Sequence, residues 1–272
     1  MEPIQTDISD EALIKAIRLN LCEFYRHLSQ TSPNPDWHFE DEKFTRWHAP
    51  IEHPWFNGVL SSYLPEKQDE AFVEEIIQYF RAKGVSVFTW WLEPPLQLAD
   101  WQPLLAKHSF GFSDDTPGMA ADLEALNPPQ QSADGLEIRL VDDEESMHEW
   151  ARVFTSGYEL PPDWETSVYE MWQPLGLDFP LRNYLGYLNG VPVATSSVFF
   201  GGGVAGIYSV STLPKARGKG IGAALTLQPL KEARERGYRT GVLQSSEMGF
   251  NIYKRLGFRH LCQIENFYRV LR

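Results

Sequence analysis

The chain has 272 residues and a net charge of −13, and this acidity argues against a nucleic-acid partner, because the phosphate backbone requires a basic face. Two cysteines without a C-x-x-C pair, and an N-terminus without an apolar leader, predict a reduced, cytoplasmic protein. The seven histidines lack the spacing of metal ligands, so we expect no metal site.

The first half of the chain alternates between helical and strand-like patterns. Glu70 to Ala82 has a helical period that Gly84 ends, and Val85 to Leu92 is an apolar run typical of a strand. The stretch from Leu104 to Phe112 ends in Phe110-Gly111-Phe112. We predict a following strand over Gly118 to Leu123. These alternating elements predict an α/β unit.

The charge of the chain is unevenly distributed, which indicates two parts. Residues 1–135 hold 9 lysines and arginines against 22 acidic residues, whereas residues 136–272 hold 15 of each. A polar, proline-rich stretch separates the two patterns. We therefore predict one domain over 1–127, a linker over 128–135 and a second domain over 136–272. The acidic first part could attract a cationic amine, although a solvated surface is its commoner role.

The second half begins with a predicted strand, Leu136 to Val141, and a predicted helix, Asp142 to Tyr158. The stretch from Asn183 to Pro214 has no charged residue, but turn signals such as Asn189-Gly190 interrupt it. It therefore predicts three consecutive strands and not a membrane-spanning helix. These strands are Tyr184–Leu188, Val193–Phe200 and Val204–Leu213.

The stretch from Pro214 to Leu225, PKARGKGIGAAL, joins the last of these strands to a predicted helix over Ala223 to Arg236. A glycine-rich turn that opens a helix presents unpaired N–H groups and the positive end of the helix dipole, which together bind anions such as phosphate. The glycines allow a ligand close to the backbone, and Arg217 and Lys219 add positive charge.

Three kinds of phosphate loop compete for this stretch. The Walker pattern is absent, because no Gly-Lys pair is followed by Ser or Thr. Gly218, Gly220 and Ala223 fit the dinucleotide pattern G-x-G-x-x-A, but the next predicted strand, Arg239 to Gln244, lacks the carboxylate that this pattern expects. The third pattern, R-x-x-G-x-G, begins at Arg217. A glycine-capped helix without a ligand is the remaining interpretation.

The residues after the helix distinguish between these patterns. Gly241 to Phe258 contains a short apolar strand, a Ser-Ser-Glu helix start, a helix and a stop at Gly257. Its ending, Tyr253-x-x-x-Gly257-Phe258, follows the R-x-x-G-x-G loop at a spacing that resembles the GCN5-related N-acetyltransferases (GNAT). The resemblance covers about Leu136 to Arg272. It implies an α/β GNAT fold with a mixed sheet, the acyl-coenzyme A N-acyltransferase fold.

The resemblance also implies a site. In this family an amine attacks the thioester of acetyl-coenzyme A directly, and Tyr253 would protonate the leaving thiolate, which a neutral phenol can do at pH 7. The alternative role of Tyr253 is to pack its ring on the sheet. The residues that the resemblance assigns to acetyl-coenzyme A are Val210, Ser211, Thr212, Leu213, Arg217, Gly218, Lys219, Gly220, Ile221, Gly222, Ala223 and Ser246.

The chain departs from the family pattern at two points. Ser246 stands where many members carry an asparagine, seven residues before the tyrosine. The strand before the loop contains no Asp or Glu, so the commonest position for a general base is empty. Glu247, Glu170 or Asp178 could act through a water molecule, and the sequence selects none of them.

The first half resembles a degenerate copy of the second. When the prolines are aligned, Pro65 to Val73 matches Pro214 to Gly222, and bulky or acidic residues replace the loop glycines. Asp69 and Glu70 would repel an anion there, and the tyrosine position falls on Lys107. This arrangement resembles tandem acetyltransferases, so we expect two copies of the fold, of which only the C-terminal copy uses coenzyme A.

These observations predict an N-acetyltransferase that moves an acetyl group from acetyl-coenzyme A to a primary amine of a small molecule or peptide. The alternative is a non-catalytic regulatory protein that binds acyl-coenzyme A, because the base position is empty. A dinucleotide-dependent enzyme is a more distant alternative. The sequence leaves open the acceptor, the length of the acyl chain, and whether the protein is a monomer or a homodimer.

Overall fold

A computed structural model describes residues 3–31, 38–41, 45–49, 51–60, 70–92, 98–129, 133–175, 177 and 179–271. In chain order the helices and strands are α1 (Asp10–Thr31), β1 (His38–Asp41), β2 (Thr45–His48), β3 (Gly58–Leu60), α2 (Glu70–Ala82), β4 (Val87–Leu92), α3 (Leu98–Lys107), β5 (Gly111–Asp122), β6 (Leu136–Leu140), α4 (Glu144–Gly157), α5 (Glu165–Trp172), β7 (Leu181–Leu188), β8 (Val191–Gly201), β9 (Val204–Thr212), α6 (Ile221–Glu235), β10 (Thr240–Gln244), α7 (Glu247–Leu256) and β11 (Arg259–Val270).

The chain divides into two compact units, neither of which is continuous in sequence. The larger unit comprises Met1–Phe24 and Gly118–Leu261, and the smaller unit comprises Tyr25–Pro117 and Cys262–Arg272. The predicted domains over 1–127 and 136–272 stay a prediction about the two copies of the fold. The compact units differ from this contiguous division, because the larger unit includes the first 24 residues and residues 118–127, and the smaller unit includes the last 11 residues.

The helices of the larger unit begin and end at residues with good capping chemistry. Asp143 and Ser146 form a reciprocal capping box at the start of α4. Ser246 caps the start of α7, and Gly257, with a φ of 105°, ends this helix in the left-handed conformation that glycine tolerates best. These local signals explain why the predicted helix boundaries lie within a few residues of those in the structure. Helix α6 continues through Pro229.

The sheet of the larger unit has the order β5-β10-β9-β8-β7-β6. Strands β7, β8 and β9 form the predicted antiparallel meander, β6 pairs antiparallel to β7, and β10 pairs parallel to β9 after the crossover through α6. The C-terminal part of β5 pairs antiparallel to β10. Helix α6 covers an apolar core that includes Leu225, Leu230 and Leu243. The uncharged stretch from Asn183 to Pro214 follows from burial, because most residues of β7, β8 and β9 are buried.

The smaller unit repeats part of this topology. Its sheet has the order β1-β2-β3-β4-β11, and β4 pairs parallel to β3 after the crossover through α2. Strand β11 pairs antiparallel to β4, as β5 does to β10 in the larger unit. Its core contains stacked aromatic rings, with 4.1 Å between the ring centroids of Phe80 and Phe88. Each unit therefore takes its closing antiparallel strand from the other half of the sequence.

The first residues of the chain complete the larger unit. The buried side chain of Asn20 on α1 donates to the carbonyl oxygens of Phe199 and Gly201 and accepts from the hydroxyl of Tyr208. The ring of Phe24 stacks on Tyr208, with the centroids 3.9 Å apart. Helix α1 thereby supports the β8–β9 hairpin, although it lies far from this hairpin in the sequence.

Candidate active site

The glycine-rich stretch forms a tight loop between β9 and α6. A single 3₁₀ turn over Pro214–Ala216 leads into Gly218 and Gly220, whose φ angles are 78° and 77°. Both values lie in the left-handed region that a side chain disfavours, which accounts for two of the glycines. Ile221 is buried and anchors the loop in the core, whereas Gly218, Lys219 and Gly220 are exposed. The buried Ile221 therefore fixes the loop to the core, while the exposed residues of the loop are accessible to a ligand from solvent.

The N-terminus of α6 has no side-chain cap. Gly220 occupies the N-cap position and contributes no side-chain acceptor, and the first bond of the helix runs from the Ala224 N–H to the Gly220 carbonyl. The N–H groups of the first turn point toward the loop and carry the positive end of the helix dipole. Lys219 adds a cation that has no ion-pair partner among the described residues. This arrangement fits the pyrophosphate of a nucleotide-type cofactor.

Strand β9 separates from β10 before it reaches the loop. The parallel pairing covers Ala205–Ile207 and Gly241–Leu243, whereas β9 continues to Thr212. A bulge follows, because Ser209 and Val210 together oppose one residue of β8. Ser209 adopts a φ of 54°, and the Thr195 hydroxyl donates to its carbonyl at 2.8 Å. Within the described part of the chain, the end of β9 thus has an edge that no strand covers.

The residues assigned to the donor on β9 lie together on this uncovered segment. The Val210 carbonyl accepts a hydrogen bond from the Tyr158 hydroxyl at 3.2 Å, and the Ser211 hydroxyl bonds to that of Thr195 at 2.8 Å. The Leu213 N–H donates to Val193. These contacts fix the backbone of the segment from both sides. A fixed strand edge beside an open loop can hold an extended amide-containing ligand.

Tyr253 lies on α7 with its ring half-buried, and its hydroxyl reaches Thr226 of α6. Burial raises the pKa of the Tyr253 phenol to about 12, and the hydrogen bond with Thr226 opposes this shift. Thr226 in turn donates to the Gly222 carbonyl at 2.9 Å. The phenol is therefore connected through one side chain to the first turn of α6, and it is protonated at neutral pH.

Two predicted donor-binding residues have side chains engaged elsewhere. The Arg217 guanidinium donates to the carbonyls of Thr212 and Gly157 and pairs with Glu159. The Ser246 hydroxyl accepts from the Gly249 N–H at 3.3 Å and caps α7. The structure therefore brings these residues to the site region, but with side chains that contact protein groups.

The structure describes two of the three residues predicted as possible general bases. Glu247 is the exposed first residue of α7, Glu170 is exposed on α5, and Asp178 lies outside the described residues. No contact of the described residues assigns any of them to the site. The described residues also contain no group of three or more His, Cys, Asp or Glu side chains suited to a metal ion, and none of their helices is long and apolar enough to span a membrane.

The corresponding region of the smaller unit contains an ion pair. Lys107, at the position aligned with Tyr253, pairs with Glu70, the first residue of α2. The Lys107 ammonium accordingly lowers the pKa of the Glu70 carboxyl. In both units, therefore, the residue at the tyrosine position meets the crossover helix near its start. The aligned loop from Pro65 to Asp69 lies outside the described residues.

Several residues of the site carry no sequence signal. Tyr158 follows the end of α4 and reaches β9 across the fold, and Thr226 lies inside a helix with no motif of its own. Gly157 is required by contact, because a Cβ there would lie 2.5 Å from the Ser211 hydroxyl. The sequence shows only a tyrosine at the end of a predicted helix and a glycine directly before that tyrosine. Neither pattern is specific for an active site.

Comparison with known proteins agrees with this geometry. Residues 144–258 match the model of the acetyltransferase (GNAT) family. A GCN5-related N-acetyltransferase from Kribbella flavida is similar over 93% of this chain and 95% of its own, with 19% identity and a TM-score of 0.68. A tandem GNAT protein from the clavulanic acid biosynthesis pathway is similar over 99% of this chain and 97% of its own, with 15% identity and a TM-score of 0.62.

A GCN5-related N-acetyltransferase from Sphaerobacter thermophilus is also similar, over 85% of this chain and 82% of its own, with 17% identity and a TM-score of 0.62. A search of curated proteins found no match. At these identities the solved structures show the fold alone. The mixed α/β fold in a tandem arrangement, predicted from the two motifs and the repeat, is confirmed.

Proposed function

We propose that the chain moves an acetyl group from acetyl-coenzyme A to a primary amine of a small molecule or peptide, on the premise that residues 144–258 match the model of the acetyltransferase (GNAT) family. The observation that carries the proposal is the uncovered edge of β9, which runs into an uncapped glycine loop beside Tyr253. The strand edge matches the amide-containing arm of the donor, the loop matches its pyrophosphate, and Tyr253 matches its thioester.

The donor fits the residues that are present. The backbone from Val210 to Leu213 would hold the amides of the pantetheine arm along the free strand edge. The loop from Arg217 to Ala223 would hold the pyrophosphate, chiefly through the N–H groups of the first turn of α6 and the Lys219 ammonium. Ser246, at the start of α7, would border the same donor site. When bound, acetyl-coenzyme A supplies a thioester whose acyl carbon an amine can attack.

Tyr253 would serve as the general acid. Its hydroxyl holds a proton, because burial raises the pKa of the phenol to about 12. Thr226 of α6 lies beside that hydroxyl, and a hydrogen bond between the two side chains would orient the phenol. A protonated and oriented phenol can give its proton to an anionic leaving group, and general acids of this kind contribute about 10²- to 10⁴-fold to rate.

The smaller unit would take no part in donor binding. The Lys107–Glu70 ion pair occupies the region that corresponds to Tyr253 and the first turn of α6. A carboxylate at the start of α2 also disfavours a phosphate at that helix N-terminus. We therefore propose one donor site in the chain, which lies in the larger unit.

The test is thiol release from acetyl-coenzyme A across a panel of small-molecule and peptide amines. We expect turnover with at least one amine, and a fall of about 10²-fold or more in kcat for Tyr253→Phe, with little change in the dissociation constant of coenzyme A. Unchanged turnover in Tyr253→Phe would remove this residue from the acid role.

Two lysine variants, one in the loop and one a control on α6, test the binding of the donor. Lys219→Gln removes the unpaired loop cation, and we expect coenzyme A to bind about threefold to tenfold more weakly, with a smaller dependence on salt. Lys231→Gln removes an exposed cation farther along α6 and should leave binding unchanged. Tight binding of coenzyme A by calorimetry without turnover on any amine would instead support the non-catalytic regulatory protein.

A further inference from the structure

Arg217 has the pattern position of a pyrophosphate ligand, yet its guanidinium makes three contacts within the protein. Its Nε donates to the Thr212 carbonyl at 3.0 Å, and its Nη2 donates to the Gly157 carbonyl at 3.0 Å. The same Nη2 lies 3.0 Å from a carboxylate oxygen of Glu159. Charge-assisted hydrogen bonds of this length are among the stronger ones in proteins.

These contacts join two elements at their ends. Thr212 is the last residue of β9, and Gly157 is the last residue of α4, with Glu159 two residues farther along. A guanidinium presents its donors in a rigid planar fork, so it fixes the two ends relative to each other. We call this set of contacts from Arg217 to Thr212, Gly157 and Glu159 the Arg217 bridge.

The turn that the bridge holds is close to β9 and locally strained. Glu159 has a φ of 57°, which is disfavoured for a residue with a side chain and persists only where the surroundings impose it. Gly157 lies against Ser211, where a Cβ would approach the hydroxyl to 2.5 Å. The residue between them, Tyr158, donates to the Val210 carbonyl. The bridge therefore holds Tyr158 against the bulge.

Tyr158 also lies beside the proposed acid. Burial raises the pKa of its phenol, and the neighbouring Tyr253 raises it further. A movement of the turn after α4 would thus displace a group next to Tyr253 and release the carbonyl of Val210. Lys219 is in no ion pair among the described residues, whereas Glu159 balances the charge of Arg217.

We infer that Arg217 is a positioning residue, whose side chain fastens the turn after α4 to the end of β9 and holds Tyr158 at the reacting centre. This inference rests on the proposed function for its kinetic consequences. It separates two roles that the R-x-x-G-x-G pattern alone cannot separate: binding of the pyrophosphate by charge, and alignment of the walls of the site by geometry.

The test compares Arg217→Lys, Arg217→Gln and Glu159→Gln with Lys219→Gln in the full chain. Arg217→Lys keeps the charge but loses the planar fork, so it distinguishes charge from geometry. Glu159→Gln weakens the bridge from its far end without changing the charge of the loop. The measurements are hydrogen exchange of the amides of residues 158–160, the dissociation constant of coenzyme A, and kcat and KM for the acceptor amine.

We expect both Arg217 variants to speed exchange at residues 158–160 and to lower kcat/KM for the acceptor by about tenfold or more, while the affinity for coenzyme A changes by less than about threefold. Glu159→Gln should have the same effects to a smaller degree, because its carboxylate is largely exposed. Lys219→Gln should show the opposite pattern, with weaker coenzyme A binding and unchanged exchange.

The inference is overturned if Arg217→Lys behaves like the unmodified protein while Arg217→Gln loses affinity for coenzyme A, since that pattern assigns the side chain to the phosphate. Unchanged exchange at residues 158–160 in both variants overturns it equally. If the unmodified protein neither binds coenzyme A nor turns over, the proposed function fails, and hydrogen exchange still decides whether the bridge exists.

Discussion

The hydroxyl of Tyr158 donates a hydrogen bond to the carbonyl oxygen of Val210 over 3.2 Å, which connects the turn after α4 to the bulge of β9. The bulge lies just beyond Ile207, the last residue of β9 that pairs with β10, so this contact stabilises the strand where its edge is free. It also brings a second phenol near Tyr253.

Removal of this hydroxyl should affect catalysis more than stability. In Tyr158→Phe the ring can stay in place, but the Val210 carbonyl loses its donor, so we expect kcat/KM to fall about fivefold to tenfold with only a modest change in the urea midpoint. Tyr169→Phe is the matched control, because that hydroxyl bonds to Glu144 on an exposed surface. Equal kinetics in the two variants would show that the contact with Val210 has no role in turnover.

The pH dependence of kcat should show no loss of the acid below about pH 11. The pKa of Tyr253 is raised to about 12, so the phenol keeps its proton at all lower pH values and loses it only as the pH rises through that value. A pH–rate profile with the best acceptor measures this. An alkaline limb near pH 9 that disappears in Tyr253→Phe would contradict the assignment.

Two loop glycines should respond oppositely to alanine. Gly220 has a φ of 77°, so Gly220→Ala should cost about 1–2 kcal/mol of unfolding free energy through backbone strain. Gly222 lies in the first turn of α6, and a Cβ there meets only the Thr212 hydroxyl at 3.8 Å. Gly222→Ala should therefore be neutral or slightly stabilising, because alanine favours the helix. Urea unfolding of both variants provides the comparison, and equal losses would exclude left-handed strain as the reason for Gly220.

The first helix should contribute strongly to the stability of the larger unit. Asn20→Ala removes bonds to Phe199, Gly201 and Tyr208 in a fully buried position, so we expect a loss of about 2–4 kcal/mol. Asn251→Ala, an exposed position on α7, is the control and should change stability by less than about 0.5 kcal/mol. Similar unfolding midpoints for the two variants would mean that α1 does not hold the β8–β9 hairpin.

Stability should fall as the pH rises above 10. Burial is the main cause of a raised pKa at Tyr25, Tyr158, Tyr184, Tyr187 and Tyr253. Unfolded tyrosines release their protons near pH 10, whereas the folded ones retain them, so the unfolded state binds fewer protons above that pH and is favoured. These tyrosines should leave the urea midpoint of unfolding unchanged up to about pH 9, and they should lower it above pH 10.

Tyr187→Phe provides the check on this decline. Its phenol has a pKa of about 12 and bonds to Glu149, so its removal should make the alkaline decline shallower. A constant midpoint from pH 8 to pH 11 in the unmodified protein would contradict the raised pKa values.

Much of the fold could be predicted because its signals are local. The helical period from Glu70 to Ala82 corresponds to α2, and the turn signals between the uncharged strands delimit the meander. Boundaries were less accurate where pairing with distant residues extends a strand, as in β5, which begins at Gly111 and not at Gly118. The order of two spaced motifs was sufficient to indicate the acetyltransferase fold.

The loop and Tyr253 could be predicted as candidate site residues from local patterns, because glycine positions, helix starts and a tyrosine one turn before a helix stop are properties of consecutive residues. The contacts of Arg217, the residue that supports Val210, and the half of the chain that supplies the closing strand of each unit became visible only in the folded chain. These features depend on distances between backbone groups that are far apart in the chain. A pattern of residue types does not encode such distances, so the same arginine suits a phosphate ligand and a bridge equally well until the fold is known.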